Sequence, residues 1–381
     1  VVNFGFSAPG KILFGPGRSL EAATEIVGRG RRILLVTGSR PERAAPMREA
    51  LLASGAEIRE ISLSREPRVD DLRSGVESAR AWGSQAVVAL GGGSVLDLGK
   101  AIAALAPSGA DPLDHLEVVG KGLPLSGPGL PCAAVPTTAG TGAEATRNSV
   151  FSTGKVKVSL RDPRLMPRLC LVDPGYAVGA PRELTAWTGM DALTQLLEPL
   201  LSRFANPLTD ALCRQGIPLS VRSLPVALCD LENLEARSDL ALASLLSGMA
   251  LANARLGSVH GLAAPLGGMF PCPHGAVCAR LLVPAWKANV AALDRAEAPV
   301  RERFLDASRL LCGRQDANLA DGLGVLQSLA RAADAPPLSR WGMTESDIPA
   351  VREAGLRASS MQGNPVDLSP LEIDAILREA L

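Results

Sequence analysis

Four polar side chains in the second half of the chain could hold one divalent cation. Asp191 and Gln195 stand four residues apart in Gly189-Met190-Asp191-Ala192-Leu193-Thr194-Gln195, so a helix places both on one face. His260 opens the run His260-Gly261-Leu262-Ala263-Ala264-Pro265-Leu266-Gly267, and His274 sits in Pro273-His274-Gly275. Two of the three histidines in the chain are therefore here. Glycine and proline around both predict that they lie at element ends, where their rings can close over the Asp191 face. Oxygen and imidazole donors of this kind suit iron or zinc, with the amide of Gln195 the weakest of the four. The plainer alternative is an aspartate that pairs with a neighbouring cation. Cys272-Pro273-His274 with Cys278 has the look of half a metal knuckle, but no second half has matching spacing, so these thiols read as buried or incidental.

A second group of residues suits phosphate. Gly91-Gly92-Gly93-Ser94 follows the apolar run Ala86–Leu90 and precedes a helical stretch. Glycines there let a phosphate approach the backbone, and a helix N-terminus offers N–H groups and a positive dipole end. Ser94 is expected to cap that helix. A simple turn between strand and helix is the alternative. Pro136-Thr137-Thr138-Ala139-Gly140-Thr141-Gly142-Ala143-Glu144 offers three hydroxyls in a tight loop, or else a polar turn held by its own backbone. Thr37-Gly38-Ser39-Arg40 closes an earlier strand without an acidic residue. Ser39 can donate a hydrogen bond and Arg40 can pair with phosphate, or the turn is simply solvated and its arginine touches nothing. His115, in Asp114-His115-Leu116-Glu117, reads as a surface residue.

These elements imply two domains. Strands are expected at Arg32–Thr37, Glu57–Leu63, Ala86–Leu90, Ala133–Val135 and Leu169–Val172. Helices are expected at Pro41–Ser54, Val69–Trp82 and Val95–Leu105. Their alternation predicts a parallel sheet covered on both faces. Beyond Asp173-Pro174 the β-branched runs stop, and helical spacing appears at Glu183–Ser202, Pro207–Leu228, Arg237–Leu256, Ala276–Ala291 and Val300–Leu311. The expected architecture is α/β plus all-α: a Rossmann-like dinucleotide-binding domain over residues 1–178, then an all-helical metal and substrate domain over 179–381. Pro336-Pro337 marks a loop.

Composition narrows the function. Length allows two domains, and 47% hydrophobic with 20% charged residues is ordinary for a globular protein. Zero formal net charge and 3% aromatic residues argue against nucleic acid as a partner. No uninterrupted apolar run reaches the roughly 20 residues that span a bilayer. The opening Val1-Val2-Asn3-Phe4-Gly5-Phe6 lacks the pattern of a secretory signal. Seven scattered cysteines without a C-x-x-C pair fit reduced thiols, and hence a cytoplasmic location.

Taken together, these motifs resemble the iron-containing (group III) alcohol dehydrogenase family of the dehydroquinate synthase-like fold, along nearly the whole chain. Gly91-Gly92-Gly93-Ser94-Val95-Leu96-Asp97-Leu98-Gly99-Lys100 matches the GGGSxxDxxK run of that family, and Pro136-Thr137-Thr138-Ala139-Gly140-Thr141 its P-T-T-x-x-T segment. The resemblance implies an NAD(P) cofactor, with its pyrophosphate on Gly92, Gly93 and Ser94, and with Asp97, Thr137, Thr138 and Thr141 beside it. It implies a ribose contact from a lysine, Lys157 rather than Lys155, from its spacing to Asp162-Pro163 and Pro167. An aspartate common in NAD-preferring relatives falls at Gly38, so Gly38 and Ser39 are expected at the cofactor ribose, with NADP(H) accepted at least as well as NAD(H). The metal positions of the family are Asp, His, His, His. Asp191, His260 and His274 match, and Gln195 stands where the first histidine would be. A relay histidine of the family falls at Ala264, leaving water, a ribose hydroxyl or Thr138 to carry the proton.

The implied activity is hydride transfer between nicotinamide and an aldehyde or ketone, with the metal (iron or zinc) polarising the substrate oxygen in a cleft between the domains. The family resemblance implies a homodimer acting on small alcohols and aldehydes, with no membrane or nucleic-acid partner. Three other readings compete: a metal-independent maleylacetate reductase-like enzyme, a catalytically inactive dinucleotide-binding relative, and a lyase like dehydroquinate synthase.

Overall fold

The computed structural model describes residues 3–116, 119–153 and 156–381. Lys155 and Glu117 lie outside the described residues. Contacts divide the chain into two compact units. One comprises Ala8–Thr138 and Gly142–Val178; the other comprises Gly179–Leu381 with Ala139–Thr141 and the described residues before Ala8.

The first unit is built on strands β1 (Ile12–Phe14), β2 (Arg32–Thr37), β3 (Glu57–Ser62), β4 (Ala86–Gly91), β5 (Cys132–Pro136) and β8 (Leu169–Val172), in the spatial order β1-β8-β5-β4-β2-β3. Every neighbouring pair in this sheet is parallel. Alternation along β2 explains the two covered faces. Leu34 and Val36 pack with Leu72 and Val76 of α3 (Val69–Trp82) and Ile102 of α4 (Gly93–Leu105). Ile33 and Leu35 pack on the other face with α1 (Ser19–Val27) and α2 (Ala45–Ala53). The helix expected from Pro41 begins as a 3₁₀ turn, Pro41–Ala44, before α2. Beyond the expected elements, β6 (Asn148–Thr153) and β7 (Val156–Arg161) form a separate antiparallel pair. A short α5 (Pro112–His115) ends on His115, which is buried and not at the surface as expected; its Nδ1 lies 2.9 Å from Leu123 O. The packing of α5 on the loop that follows it shields the ring.

The second unit is helical: α6 (Arg182–Leu201), α7 (Pro207–Cys229), α8 (Leu234–Ala254), α9 (Ser258–Met269), α10 (His274–Ala291), α11 (Ala298–Cys312), α12 (Leu319–Ala333), α13 (Ile348–Arg357) and α14 (Pro370–Ala380). One continuous core joins Met190 and Leu193 of α6 to Ile217 of α7, Leu262 of α9, and Val277 and Leu281 of α10. Gly189 permits the close contact of α6 with α7, since a Cβ there would stand 2.6 Å from Leu224 Cδ1. The stretch His274–Arg295 is long and apolar enough by length and composition to cross a membrane, despite Arg280 and Lys287 within it, but 67% of its apolar window is buried inside the protein. It contributes Val277, Leu281 and Trp286 to this core. Between α8 and α9 the chain bends by 97°. Arg255 at the bend has φ of +60°, a conformation that costs a non-glycine residue about 1–3 kcal/mol. Its guanidinium lies 4.3 Å from the centre of the Phe204 ring and also bonds Gln362.

Candidate metal centre and nucleotide loop

Asp191 lies in the middle of α6 and is almost wholly buried. His260 is the third residue of α9 and His274 the first of α10, both near helix starts as their flanking glycine and proline imply. Gly275 lets the start of α10 approach α6, because a Cβ there would sit 2.7 Å from Trp187 O. The result is a tight group. His260 Nε2 is 3.1 Å from Asp191 Oδ1, and His274 Nε2 is 3.7 Å from the same oxygen. Cys278 joins them from the second turn of α10, with its Sγ 3.7 Å from His260 Nε2 and 3.6 Å from His274 Nε2. One ligand atom from each of Asp191, His260, His274 and Cys278 lies within 4.8 Å of all the others.

Charge organises this group. Desolvation works to raise the Asp191 pKa, but the charge of His274, together with the hydrogen bond and charge of His260 and a bond from Gln195, holds it down at about 2. Burial pushes the Cys278 thiol up to about 12. Glu198, two turns along α6 from Asp191, accepts from His260 Nδ1 at 2.6 Å and from the Val259 amide at 2.7 Å. A carboxylate on Nδ1 fixes the ring and directs Nε2 at the cluster, which is the usual support behind a metal-binding histidine.

Gln195, the fourth expected ligand, meets the group through Asp191. Its Nε2 bonds Asp191 and lies 3.5 Å from Gly140 O, so the amide serves as a donor between two oxygens. Its Oε1 is buried without a hydrogen-bond partner. Ala264, one turn after His260, is exposed. The donor set itself fits a divalent ion: a carboxylate low in pKa, two imidazoles and a sulfur, all converging at bonding range. Glu198 was not singled out from the sequence, and Cys278 was weighed only as half of a metal knuckle and set aside. Their signals were spacings, seven residues from Asp191 and four from His274.

In the first unit, the phosphate motifs lie at the carboxyl ends of adjacent strands. Gly91 pairs with Pro136 across β4 and β5, and the Thr137 amide donates to Gly91 O at 3.0 Å. Thr138 Oγ1 lies 3.6 Å from where a Cβ on Gly92 would be, so the two loops run side by side. Gly92 is the N-cap of α4, with Gly93 and Ser94 in its first turn. Ser94 therefore does not cap the helix; the Val95 and Leu96 amides bond back to Gly92 O. Gly99 lets α4 sit close on the sheet, since a Cβ there would meet Ala89 Cβ at 2.4 Å. Gly38 ends β2 half-buried, and Ser39 and Arg40 are exposed. The strand order reverses between β2 and β4, the switch point where open α/β sheets receive ligands.

Two of the expected cofactor contacts are engaged elsewhere. Asp97 pairs with Lys100 at 3.0 Å and accepts from the Val150 amide at 3.0 Å. Lys100, fully buried, also donates to Ala143 O, Thr146 Oγ1 and Asn148 O, which pins the segment after Thr141. Lys157 pairs with Glu66 at 2.7 Å. Thr141 is half-buried in its loop.

Comparison with known proteins agrees with these motifs. Residues 9–174 match the family model for iron-containing alcohol dehydrogenase, and residues 185–381 match that for the C-terminal part of the Fe-containing alcohol dehydrogenase family. Alcohol dehydrogenase 4 of Saccharomyces cerevisiae is 32% identical over 386 aligned residues, covering 99% of this chain and 98% of the yeast protein. The crystal structure of a 1,3-propanediol oxidoreductase superposes with a TM-score of 0.91 at 32% identity, covering all of both chains. That of sulfoacetaldehyde reductase from Bifidobacterium kashiwanohense, in complex with NAD+, gives 0.89 at 26% identity, covering 100% of this chain and 99% of the other. The chain belongs to the iron-containing alcohol dehydrogenase family and is an alcohol–aldehyde oxidoreductase.

Proposed function

We propose that the chain interconverts a small alcohol and its aldehyde or ketone with NAD(P), using a divalent ion held by Asp191, His260 and His274. The observation that carries this reading is the convergence of those three side chains, from three different helices, on one buried point. Helix cores do not gather a carboxylate and two imidazoles for packing, because each loses hydration on burial. A divalent ion there would supply Lewis acidity toward the carbonyl oxygen of the substrate. Asp191 contributes the negative charge that balances the cation. Glu198 holds the His260 ring in the orientation that presents Nε2.

For the cofactor, the reading places the pyrophosphate against Gly92, Gly93 and Ser94, with Thr137, Thr138 and Thr141 alongside. The position of Gly92 as N-cap of α4 and the neighbouring threonine loop support it. Gly38 and Ser39 would face the adenosine ribose, with Arg40 available to a 2′-phosphate. Lys157 reaches a ribose only by leaving Glu66, and Asp97 acts by holding the loop. Residues 1–178 and 179–381 then divide the work into nucleotide binding and substrate chemistry. The balance is alcohol plus NAD(P)+ giving carbonyl compound, NAD(P)H and a proton.

The experiment is a steady-state screen of short aldehydes, ketones and hydroxyaldehydes with NADH and with NADPH. Carbonyl-dependent cofactor oxidation is expected. Reduction of maleylacetate with no activity on any carbonyl would instead favour the metal-independent alternative.

A further inference from the structure

The cluster contains a residue that the proposed metal set does not use. Cys278 follows His274 by one helical turn on α10, as Gln195 follows Asp191 by one turn on α6. Its Sγ is buried, and the contacts found for it are Nε2 of His260 and Nε2 of His274. An incidental core thiol would meet carbon on most sides. This one meets two imidazole nitrogens and stands within 4.8 Å of a carboxylate oxygen.

The spacing can be compared with a real coordination shell. Bonds of about 2.3 Å to sulfur and about 2.0–2.2 Å to nitrogen and oxygen, at tetrahedral angles, separate N from S by about 3.6 Å and N from O by about 3.4 Å. The corresponding separations here are 3.6 and 3.7 Å for nitrogen to sulfur, and 3.1 and 3.7 Å for nitrogen to oxygen. Four of the six separations of a tetrahedral shell are therefore close to their expected values, and the other two are at most 4.8 Å. Gln195 turns its NH2 group to Asp191, and an amide oxygen is a weaker ligand than a thiolate for a zinc-like ion.

We propose that Cys278, as a thiolate, is the fourth ligand of an Asp191–His260–His274–Cys278 site, taking the place that Gln195 leaves, and that this site selects a zinc-like ion over iron. The inference rests on the metal reading above. As the metal–sulfur bond forms, the S–H bond breaks and the thiol proton leaves to solvent. A thiolate ligand in a tetrahedral set with nitrogen biases a site toward zinc or cobalt more strongly than oxygen and nitrogen donors alone, which accept iron and zinc alike.

Cobalt(II) is the probe. Full-length protein treated with chelator and loaded with Co²⁺ is expected to show a near-ultraviolet sulfur-to-cobalt charge-transfer band. Cys278→Ser should abolish the band and weaken Co²⁺ binding by about tenfold or more, at least the loss typical of a supporting residue. Gln195→Ala should keep the band. X-ray absorption of the zinc-loaded wild-type protein should give one sulfur at about 2.3 Å, with no variant needed. Cobalt bound without the band, or a band that survives in Cys278→Ser, overturns the inference and leaves the metal reading standing. Failure to take up Co²⁺ and Zn²⁺ at all overturns both.

Discussion

Glu198 Oε2 accepts from His260 Nδ1 at 2.6 Å, which leaves His260 Nε2 facing Asp191 Oδ1 at 3.1 Å. One imidazole is thus held between two carboxylates of the same helix, one orienting it and the other sharing its target. Glu198→Gln keeps the shape and removes the charge. Its affinity for divalent metal is expected to fall by about 10- to 100-fold, measured by competition with a chromogenic chelator. Unchanged affinity would make Glu198 a packing and capping residue only.

The start of α4 carries the cofactor assignment. Gly93→Asp sets a carboxylate where the pyrophosphate is expected, and binding of NADH and NADPH by fluorescence titration should be lost. The melting temperature should stay close to wild type, since Gly93 is half-buried. Retained binding would move the phosphate site away from this turn.

Gly38 tests the choice between the cofactors. The wild type is expected to use NADPH at least as well as NADH. Gly38→Asp should lower the NADPH-to-NADH ratio of kcat/KM by at least about tenfold, roughly 1.4 kcal/mol, through repulsion of a 2′-phosphate. A wild-type preference for NADH above tenfold would contradict the reading of Gly38, Ser39 and Arg40.

Glu144 gives a pH signature. Burial raises its carboxyl from 4.5 to about 7, with its own backbone and Lys100 pulling the other way. Below pH 4.5 the group is neutral folded or unfolded, and has no linkage effect. Between 4.5 and 7 the folded state holds the proton that the unfolded state has released, so stability falls as pH rises, by about 3 kcal/mol in all. Glu144→Gln should match wild type near pH 4 and be the more stable protein at pH 8, by denaturant unfolding. Equal stability at both pH values would show that Glu144 ionises normally.

The sheet was legible because its chemistry is periodic. Ile33, Leu34, Leu35 and Val36 alternate between two covered faces, and that run alone marks a buried parallel strand. Helix α9 was not legible as a helix, since Gly261, Pro265, Gly267 and Gly268 all lower local helix preference and only tertiary packing overrides them. Asp191, His260 and His274 could be singled out from residue type. Cys278 was weighed as half of a metal knuckle and set aside, because its meaning depends on α10 starting against α6, a contact set by Gly275 and Trp187 across the fold. The same holds for Asp97 and Lys100, whose motif suggests a cofactor but whose side chains meet each other and the loop after Thr141. Ser94 lost its expected capping role to Gly92, two residues earlier than the sequence pattern suggested.

The central claim is metal-assisted carbonyl reduction at Asp191, His260 and His274, and its most direct test is metal removal and return. Protein stripped by chelator should lose aldehyde reduction and regain it on addition of Zn²⁺ or Fe²⁺, while His260→Ala and His274→Ala stay inactive with either ion. If the stripped protein and both variants keep full activity, and added metal neither binds nor alters the rate, the account is contradicted and a metal-independent reductase replaces it.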